Sequence, residues 1–244
     1  MYALCRVIFN IIGFNSVTSS ILVALGIISM AVGVLLAIGQ WDLKRLLAYH
    51  SISQIGYVVL GIGLGTPLGI FGGLFHLFNH SIFKSLLFLN SGAIDYATGT
   101  RDLREMSGLK EKMPVTANTN FIASMAIAGI PPFNGFFSKL IIIFACVQKG
   151  CWGYALAAVI GSILTLASFM KVQKFAFLGE LKEKYKSIKE VPWVMKFSMV
   201  SLAVICILGG ILLLPSLRFF INDAVNALLR GTGYATVVLE AAVK

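Results

Sequence analysis

The sequence predicts an all-α polytopic membrane protein of about seven transmembrane helices, two of them discontinuous. Three observations carry that expectation. The chain is 58% hydrophobic and only 12% charged, about half the charged share of an ordinary soluble domain, and its mean hydropathy is +0.88. Several stretches run for about 20 residues without a charge, the length that crosses a hydrocarbon core of ~30 Å as a helix. These runs are far longer than the roughly 10-residue alternating strands of a membrane barrel.

The segments follow in order. The first, about residues 2–14, is too short to span and reads as the remnant of a preceding helix. It has neither the leading positive region nor the small-residue cleavage site of a signal peptide. The second, Val17 to Gly39, carries no charge. The third starts near Leu47, after the polar QWDLKR, and ends near GLGTP. The fourth runs from about Pro67 to Ala97, and Gly69, Gly72 and Gly73 mark a place where it is expected to be interrupted. The fifth, about Pro114 to Val147, is longer than a membrane needs and contains GIPPFNGF. There Pro131 and Pro132 remove two backbone donors and break the helix. At membrane depth such a break is tolerated only where protein or a water-lined cavity surrounds it. The sixth runs from Cys151 to about Phe177, and the seventh from Trp193 to Leu214. Residues 1–214 are thus expected to form one transmembrane domain. In the tail, 215–244, SLRFFINDAVNALLRG has apolar residues at helical spacing with Arg218, Asp223 and Arg230 between them, the pattern of a helix lying in the interface.

Net charge is +10. If the spans alternate, one side collects Arg6, Lys44, Arg45, Arg101, Arg104, Lys110, Lys112 and the lysines from Lys171 to Lys196. The other keeps Lys149, Arg218, Arg230 and Lys244. The crowded side reads as cytoplasmic. That places the N-terminus inside the cell and the tail outside, in a plasma membrane. GELKEKYKSIKE, residues 179–190, reads as a solvated loop helix. The same loops account for the positive charge without nucleic acid. Cys5, Cys146, Cys151 and Cys206 lie in or beside apolar runs with no C-x-x-C spacing, so they read as core residues. No haem, flavin, nucleotide, iron–sulfur or metal motif is visible; neither a cofactor nor a redox site is expected on this chain.

The stretch HLFNHSIFKS sets His76, His80 and Lys84 four residues apart inside an apolar run. Steps of four advance a helix by about 400°, so the three form one stripe ~12 Å long. Lys84 and Lys139 are the two basic residues central to spans, each costing ~2.5–3.5 kcal/mol at the bilayer centre on insertion scales. Snorkelling is awkward for Lys84, midway along its span. A structural ion pair lacks a partner nearby, since Asp95 lies roughly three turns further on. Imidazole can take a proton on one nitrogen and release it from the other, and an ammonium stripped of hydration gives up its proton more readily. The stripe therefore reads as a proton relay of His76, His80, Lys84 and Lys139. Asn134 and Ser138 flank the helix break and are candidates for holding water. His50, near the cytoplasmic end of the third span, reads either as an entry group or as an interfacial residue.

Three motifs, DLKRLLAYHSISQIGYVVLGIG, FHLFNHSIFKSLLFLNSGAI and GIPPFNGFFSKL, resemble the antiporter-like membrane subunits. These occur in respiratory complex I, in multisubunit cation/proton antiporters, and in membrane-bound hydrogenase and sulfane sulfur reductase complexes. ATGTRDLREMSGLKEKMP resembles the cytoplasmic loop of that group. The family fold has two inverted five-helix repeats, each with a broken helix and a central lysine. The resemblance implies that residues from about 17 to 177 correspond to the second repeat, with flanking helices including the last span at 193–214. It implies that Lys84 is the central lysine, that His76 and His80 are the histidines before it, and that Lys139 sits on the second broken helix. The first repeat is expected to be missing. The implied partners are other membrane subunits of a multisubunit complex, among them a full-length antiporter-like subunit, together with lipid. Two functions are then open: ion translocation, with protons favoured because no buried carboxylates offer sodium ligands, or a half-length structural subunit joining the membrane arm to a redox module.

Overall fold

The computed structural model describes residues 1–233, and all regular elements among them are helical. In chain order, α1 (Tyr2–Cys5) continues as a π-helix over Arg6–Ile12. Then come α2 (Ser16–Ile38), α3 (Leu43–Gly63), α4 (Pro67–Thr98), α5 (Pro114–Ala128), α6 (Asn134–Gln148) and α7 (Trp152–Val172), which continues as a π-helix over Gln173–Phe177. Finally α8 (Trp193–Leu208) ends in a 3₁₀ turn, Gly209–Leu213, and α9 covers Phe219–Leu229. By length and composition, four stretches can cross a membrane: Ser16–Ile38, Leu43–Gly63, Trp152–Phe177 and Trp193–Leu213.

Local chemistry explains the starts and stops. Asn15 and Thr18 form a reciprocal capping box at α2. Asp42 accepts from Arg45 N at 2.8 Å to open α3, and Thr66 accepts from Gly69 N at 3.1 Å to open α4, with Pro67 in the first turn. α2 and α3 run antiparallel at very close range. A Cβ on Gly33 would sit 2.5 Å from Ser53 N, and one on Gly56 would sit 2.6 Å from Met30 N. Small residues that let backbones approach this way are the usual helix-packing device in lipid, where apolar contact alone gives little drive.

The fourth span corrects one expectation. It is a single uninterrupted helix of 32 residues, so the fifth span is the discontinuous one among the described segments. Gly69, Gly72 and Gly73 serve packing instead of a break. A Cβ on Gly69 would meet Gly61 O at 2.6 Å, one on Gly72 would meet Ile141 Cγ2 at 2.9 Å, and one on Gly73 would meet Val58 O at 2.9 Å. The glycines bring α3 and α6 against the α4 backbone.

The loop at 179–190 is a second correction. It carries only a 3₁₀ turn, Glu183–Tyr185, in place of the expected helix, and although its charged side chains such as Lys184 and Lys186 are exposed, Tyr185 docks it on the core. Tyr185 and Val191 are buried in the main core cluster with Leu103, Leu109, Phe169 and Phe177. Gly108 N donates to Leu178 O at 3.0 Å, and Lys184 pairs with Glu105 at 3.3 Å. An alternation of charges hid two apolar anchors. Glu190 closes the loop onto α5: its carboxylate accepts from Val115 N at 2.8 Å and from Thr116 Oγ1 at 2.7 Å. The Val115 N–H is an orphan donor of a helix N-terminus. Glu190→Ala is therefore expected to cost about 1–2 kcal/mol, read as a lower melting temperature of the solubilised protein.

α9 is amphipathic as expected. Val225 and Leu228 pack with Cys5, Phe9, Val58, Ile62 and Ile70, while Phe219, Phe220 and Leu229 are exposed. The rest of the expected tail, 234–244 with Lys244, lies outside the described residues.

Candidate functional site

The break in the fifth span is built by α5 ending at Ala128, Gly129 at φ 81°, and a cis Pro131–Pro132 turn ahead of α6. Both prolines are exposed and form the turn without lining the site. Gly129 is required twice. Its φ lies in the left-handed region, and a Cβ there would sit 2.8 Å from Lys139 Cδ, across the path of that side chain. Gly135 lets α6 lean on the end of α5, since a Cβ would fall 1.9 Å from Ala126 O. No rearrangement of a side chain relieves a clash with backbone. Gly135→Ala is expected to abolish accumulation of the assembled protein in the membrane, measured by immunoblot after native gel separation.

Two buried amide and hydroxyl contacts seat α6 on the α4 stripe. Asn134 Nδ2 donates to Asn79 Oδ1 and Asn79 Nδ2 to Asn134 O, both at 3.1 Å. His76 Nδ1 and Ser138 Oγ share a hydrogen bond of 2.9 Å. Asn134 and Ser138, expected to hold water, thus bond directly to α4. Their location at the break is as read from the sequence. Asn134 Oδ1 remains buried without a partner in the described structure.

The basic residues are enclosed. His50 and His76 are fully buried, Lys84 is 5% exposed and Lys139 2% exposed, while His80 is partly buried. Lys84 Nζ, on α4, donates to Leu47 O of α3 and lies 5.2 Å from the Phe88 ring centroid. Lys139 Nζ donates to Ile127 O at 2.8 Å and lies 4.5 Å from the Tyr57 ring centroid. Neither lysine meets a carboxylate among the described residues. Asp95, the nearest acid by sequence, pairs instead with Lys44 at 3.1 Å and Arg101 at 3.9 Å. The two carbonyls differ. Leu47 O belongs to the interior of α3 and also accepts from Ser51 Oγ at 3.3 Å. Ile127 O has lost its ordinary helical donor, because four residues on stands Pro131, which has no N–H. Lys139 supplies the donor that the break removes.

His50 is more central than its sequence position implied. Its Nε2 bonds Ser168 Oγ on α7 at 2.8 Å, and its ring packs on Phe169 with centroids 4.8 Å apart. Aromatic rings stand between the basic groups: Phe83 between His76 and His80, with centroids 6.1 and 5.6 Å away, and Tyr57 between His76 and Lys139. One ring nitrogen on each histidine, Nδ1 of His50 and Nε2 of His76 and His80, is buried with no protein partner in the described structure.

Sequence reasoning missed Gln54 and Tyr57. Gln54 is fully buried with both amide atoms unpartnered. Tyr57 donates to Ala158 O at 2.6 Å and lies beside the His76 ring, with centroids 5.5 Å apart. The pattern that points to them is present in the chain: His50, Gln54 and Tyr57 recur at i, i+4 and i+7, one face of α3. A cavity of about 230 Å³, lined by Gly129, Phe136, Lys139 and Ser162 among others, lies between the break and α7. Among the described residues, no group of three or more His, Cys, Asp or Glu is placed to hold a metal ion.

Fold and site together define a multi-pass helical membrane protein enclosing a line of histidines and lysines. The NADH:quinone oxidoreductase/Mrp antiporter transmembrane family matches residues 1–165, and the chain belongs to that family. An uncharacterized protein of Methanocaldococcus jannaschii is 42% identical over 207 residues, which are 84% of this chain and 43% of that protein. An Na(+)/H(+) antiporter subunit of Alkalihalophilus pseudofirmus is 36% identical over 241 residues, 98% of this chain and 49% of its own. Among solved structures, the archaeal membrane-bound sulfane sulfur reductase superposes with a TM-score of 0.76 at 35% identity, covering 79% of this chain and 32% of its matched chain. The chain thus spans about half the length, or less, of the relatives it matches.

Proposed function

We propose that this chain is a proton-translocating, antiporter-like subunit of a redox-driven complex in the plasma membrane. In this reading it works beside other membrane subunits, a full-length antiporter-like subunit among them, and in contact with lipid. The loop side carrying Lys110 and Lys182 faces the cytoplasm, and α9 lies in the opposite interface. The observation that carries the reading is the pair of buried amines, Lys84 and Lys139, each donating to a backbone carbonyl and meeting no carboxylate among the described residues, together with three histidines that each keep a buried ring nitrogen without a protein partner. Protons reach Lys84 through His76 and His80 and leave by way of Lys139, with His50 as a candidate entry group. Two ammonium charges in a low-dielectric slab repel each other, so a charge arriving at one drives a proton off the other. Sodium would need a cage of oxygen ligands. Family relatives that include an Na(+)/H(+) antiporter subunit and a sulfane sulfur reductase complex support an ion-handling role in a multisubunit setting.

A structural role joining the membrane arm to a redox module is the second reading. It draws on the same amines, since each carbonyl contact also fastens one helix to another. The test is Lys84→Met in the assembled complex, with electron transfer and ion movement measured separately in sealed vesicles. Translocation requires ion movement to stop while assembly persists; pumping at the parent rate leaves the structural reading.

A further inference from the structure

Away from the buried histidines and lysines, a cavity of about 660 Å³ opens between α9, the first turns of α4 and the side of α6. Small-molecule sites fall in the range of roughly 300–1,000 Å³. Its two walls differ in chemistry. On one side stand Pro67, Phe71 and Ile141, all apolar. On the other stand Arg218, Asn222 and Asn226. Arg218 is the N-cap of α9, and steps of four drift by only ~40° round a helix, so the three polar residues form one stripe along it. Val225 and Leu228, beside the stripe, are buried with Val58, Ile62 and Ile70, and these core contacts fix which way the stripe faces. Arg218 is exposed and has no carboxylate partner among the described residues. Asp223, the acid of α9, is exposed and does not line the cavity. Among the described residues, the lining thus holds one cation, two amides and no anion.

We infer that this cavity seats one anionic phospholipid of the outer leaflet, with its phosphate on Arg218 and the upper part of an acyl chain against Phe71 and Ile141. The inference rests on the placement of α9 in the outer interface proposed above, and not on ion movement. A guanidinium presents a fork of donors that matches two phosphate oxygens. The Asn222 and Asn226 amides can donate to a further phosphate oxygen or to the hydroxyls of the head group. Phe71 lies four residues inward of Pro67, about 6 Å along the axis of α4. An interfacial helix sits across the headgroup–acyl boundary over a similar depth of ~5–10 Å. A polar wall facing an apolar one at that depth suits an amphiphile. A soluble anion would leave Phe71 and Ile141 wet, and a zwitterionic lipid carries its own ammonium close to the phosphate that Arg218 would bind. The seat is built from the helices that bear Lys84 and Lys139, so its occupant braces α9 against both.

The test is photocrosslinking in the assembled complex, reconstituted into phosphatidylcholine vesicles that hold a trace of probe lipid with a diazirine in its upper acyl chain. Two probes share that chain, one with a phosphatidylglycerol head and one with a phosphatidylcholine head. Normalised to total labelling of the complex, the phosphatidylglycerol probe is expected to mark the peptides around Phe71 and Ile141 roughly tenfold more strongly. Arg218→Gln is expected to abolish that preference, and Arg218→Lys to keep part of it. Asn226→Asp sets a carboxylate in the polar wall and should act like Arg218→Gln. Both positions are exposed, so neither exchange disturbs the core. Equal marking by the two probes, or a preference that survives Arg218→Gln and Asn226→Asp, overturns the site in favour of ordinary boundary lipid. No marking near Phe71 and Ile141 by either probe overturns it in favour of a protein segment filling the cavity. Crosslinking needs no ion flow, so these outcomes leave the translocation reading standing, whereas normal pumping by Lys84→Met defeats that reading and leaves the lipid site. Labelling of Asp223→Cys by an impermeant maleimide from the Lys110 face alone overturns the placement of α9, and with it the leaflet assigned to the lipid.

Discussion

Complexes carrying Lys84→Met are expected to melt at the parent temperature or above it while moving no ions. Methionine keeps the length and most of the volume of lysine and fills an apolar site readily. The exchange removes an ammonium whose insertion costs ~2.5–3.5 kcal/mol at the bilayer centre. It forfeits a cation–π contact with Phe88, a ring 41% exposed, worth about 0.5–1 kcal/mol at such a site. It also forfeits one hydrogen bond to Leu47 O, a carbonyl that keeps its α3 donor and Ser51 Oγ and so is not orphaned. The balance is neutral to favourable for folding. A residue held for structure loses stability when replaced; a residue held for proton traffic loses traffic alone. Thermal unfolding and vesicle pumping on the same preparation separate the two. A drop in melting temperature with pumping intact removes the ground for calling Lys84 functional.

The parts of the molecule legible in the chain are those written in local pattern. The α4 stripe follows from four-residue spacing alone, and the helix break from Pro131–Pro132. What stayed hidden depends on which helix lies opposite. Gly69, Gly72 and Gly73 read equally as breakers or as packing surfaces until α3 and α6 are laid against them. The run from 179 to 190 reads as a solvated helix; most of its lysines are exposed, but the core anchorage of Tyr185, and of Val191 just after it, that holds the loop down is not written in the charge pattern. His50 reads as interfacial at the end of a span, yet it bonds Ser168, 118 residues away. Gln54 and Tyr57 share its face of α3 and went unweighed, because a polar residue in a span has helix–helix hydrogen bonding as its default role. The place of Tyr57 against the His76 ring of α4 and the Lys139 ammonium of α6 appears only in three dimensions.

Lys139 is expected to respond differently from Lys84, because it does two jobs that substitution can separate. Its ammonium replaces the helical donor that Pro131 denies to Ile127 O, and Ile127 is fully buried. Lys139→Met leaves that carbonyl with no partner, at about 1–3 kcal/mol. It should therefore melt below Lys84→Met, although both variants shed a buried charge, and it should also stop ion movement. Lys139→Arg restores a donor, and the cavity of about 230 Å³ beside Lys139 has room for the larger head group. A guanidinium does not release its proton in proteins, so this variant is expected to recover melting temperature without recovering pumping. The same pairing of measurements applied to Lys84→Arg should show no such recovery, since there was no orphaned carbonyl to rescue. If Lys139→Arg pumps at the parent rate, the Lys139 proton is not on the path. If Lys139→Met and Lys84→Met melt together, the donor role assigned to Lys139 at the break falls.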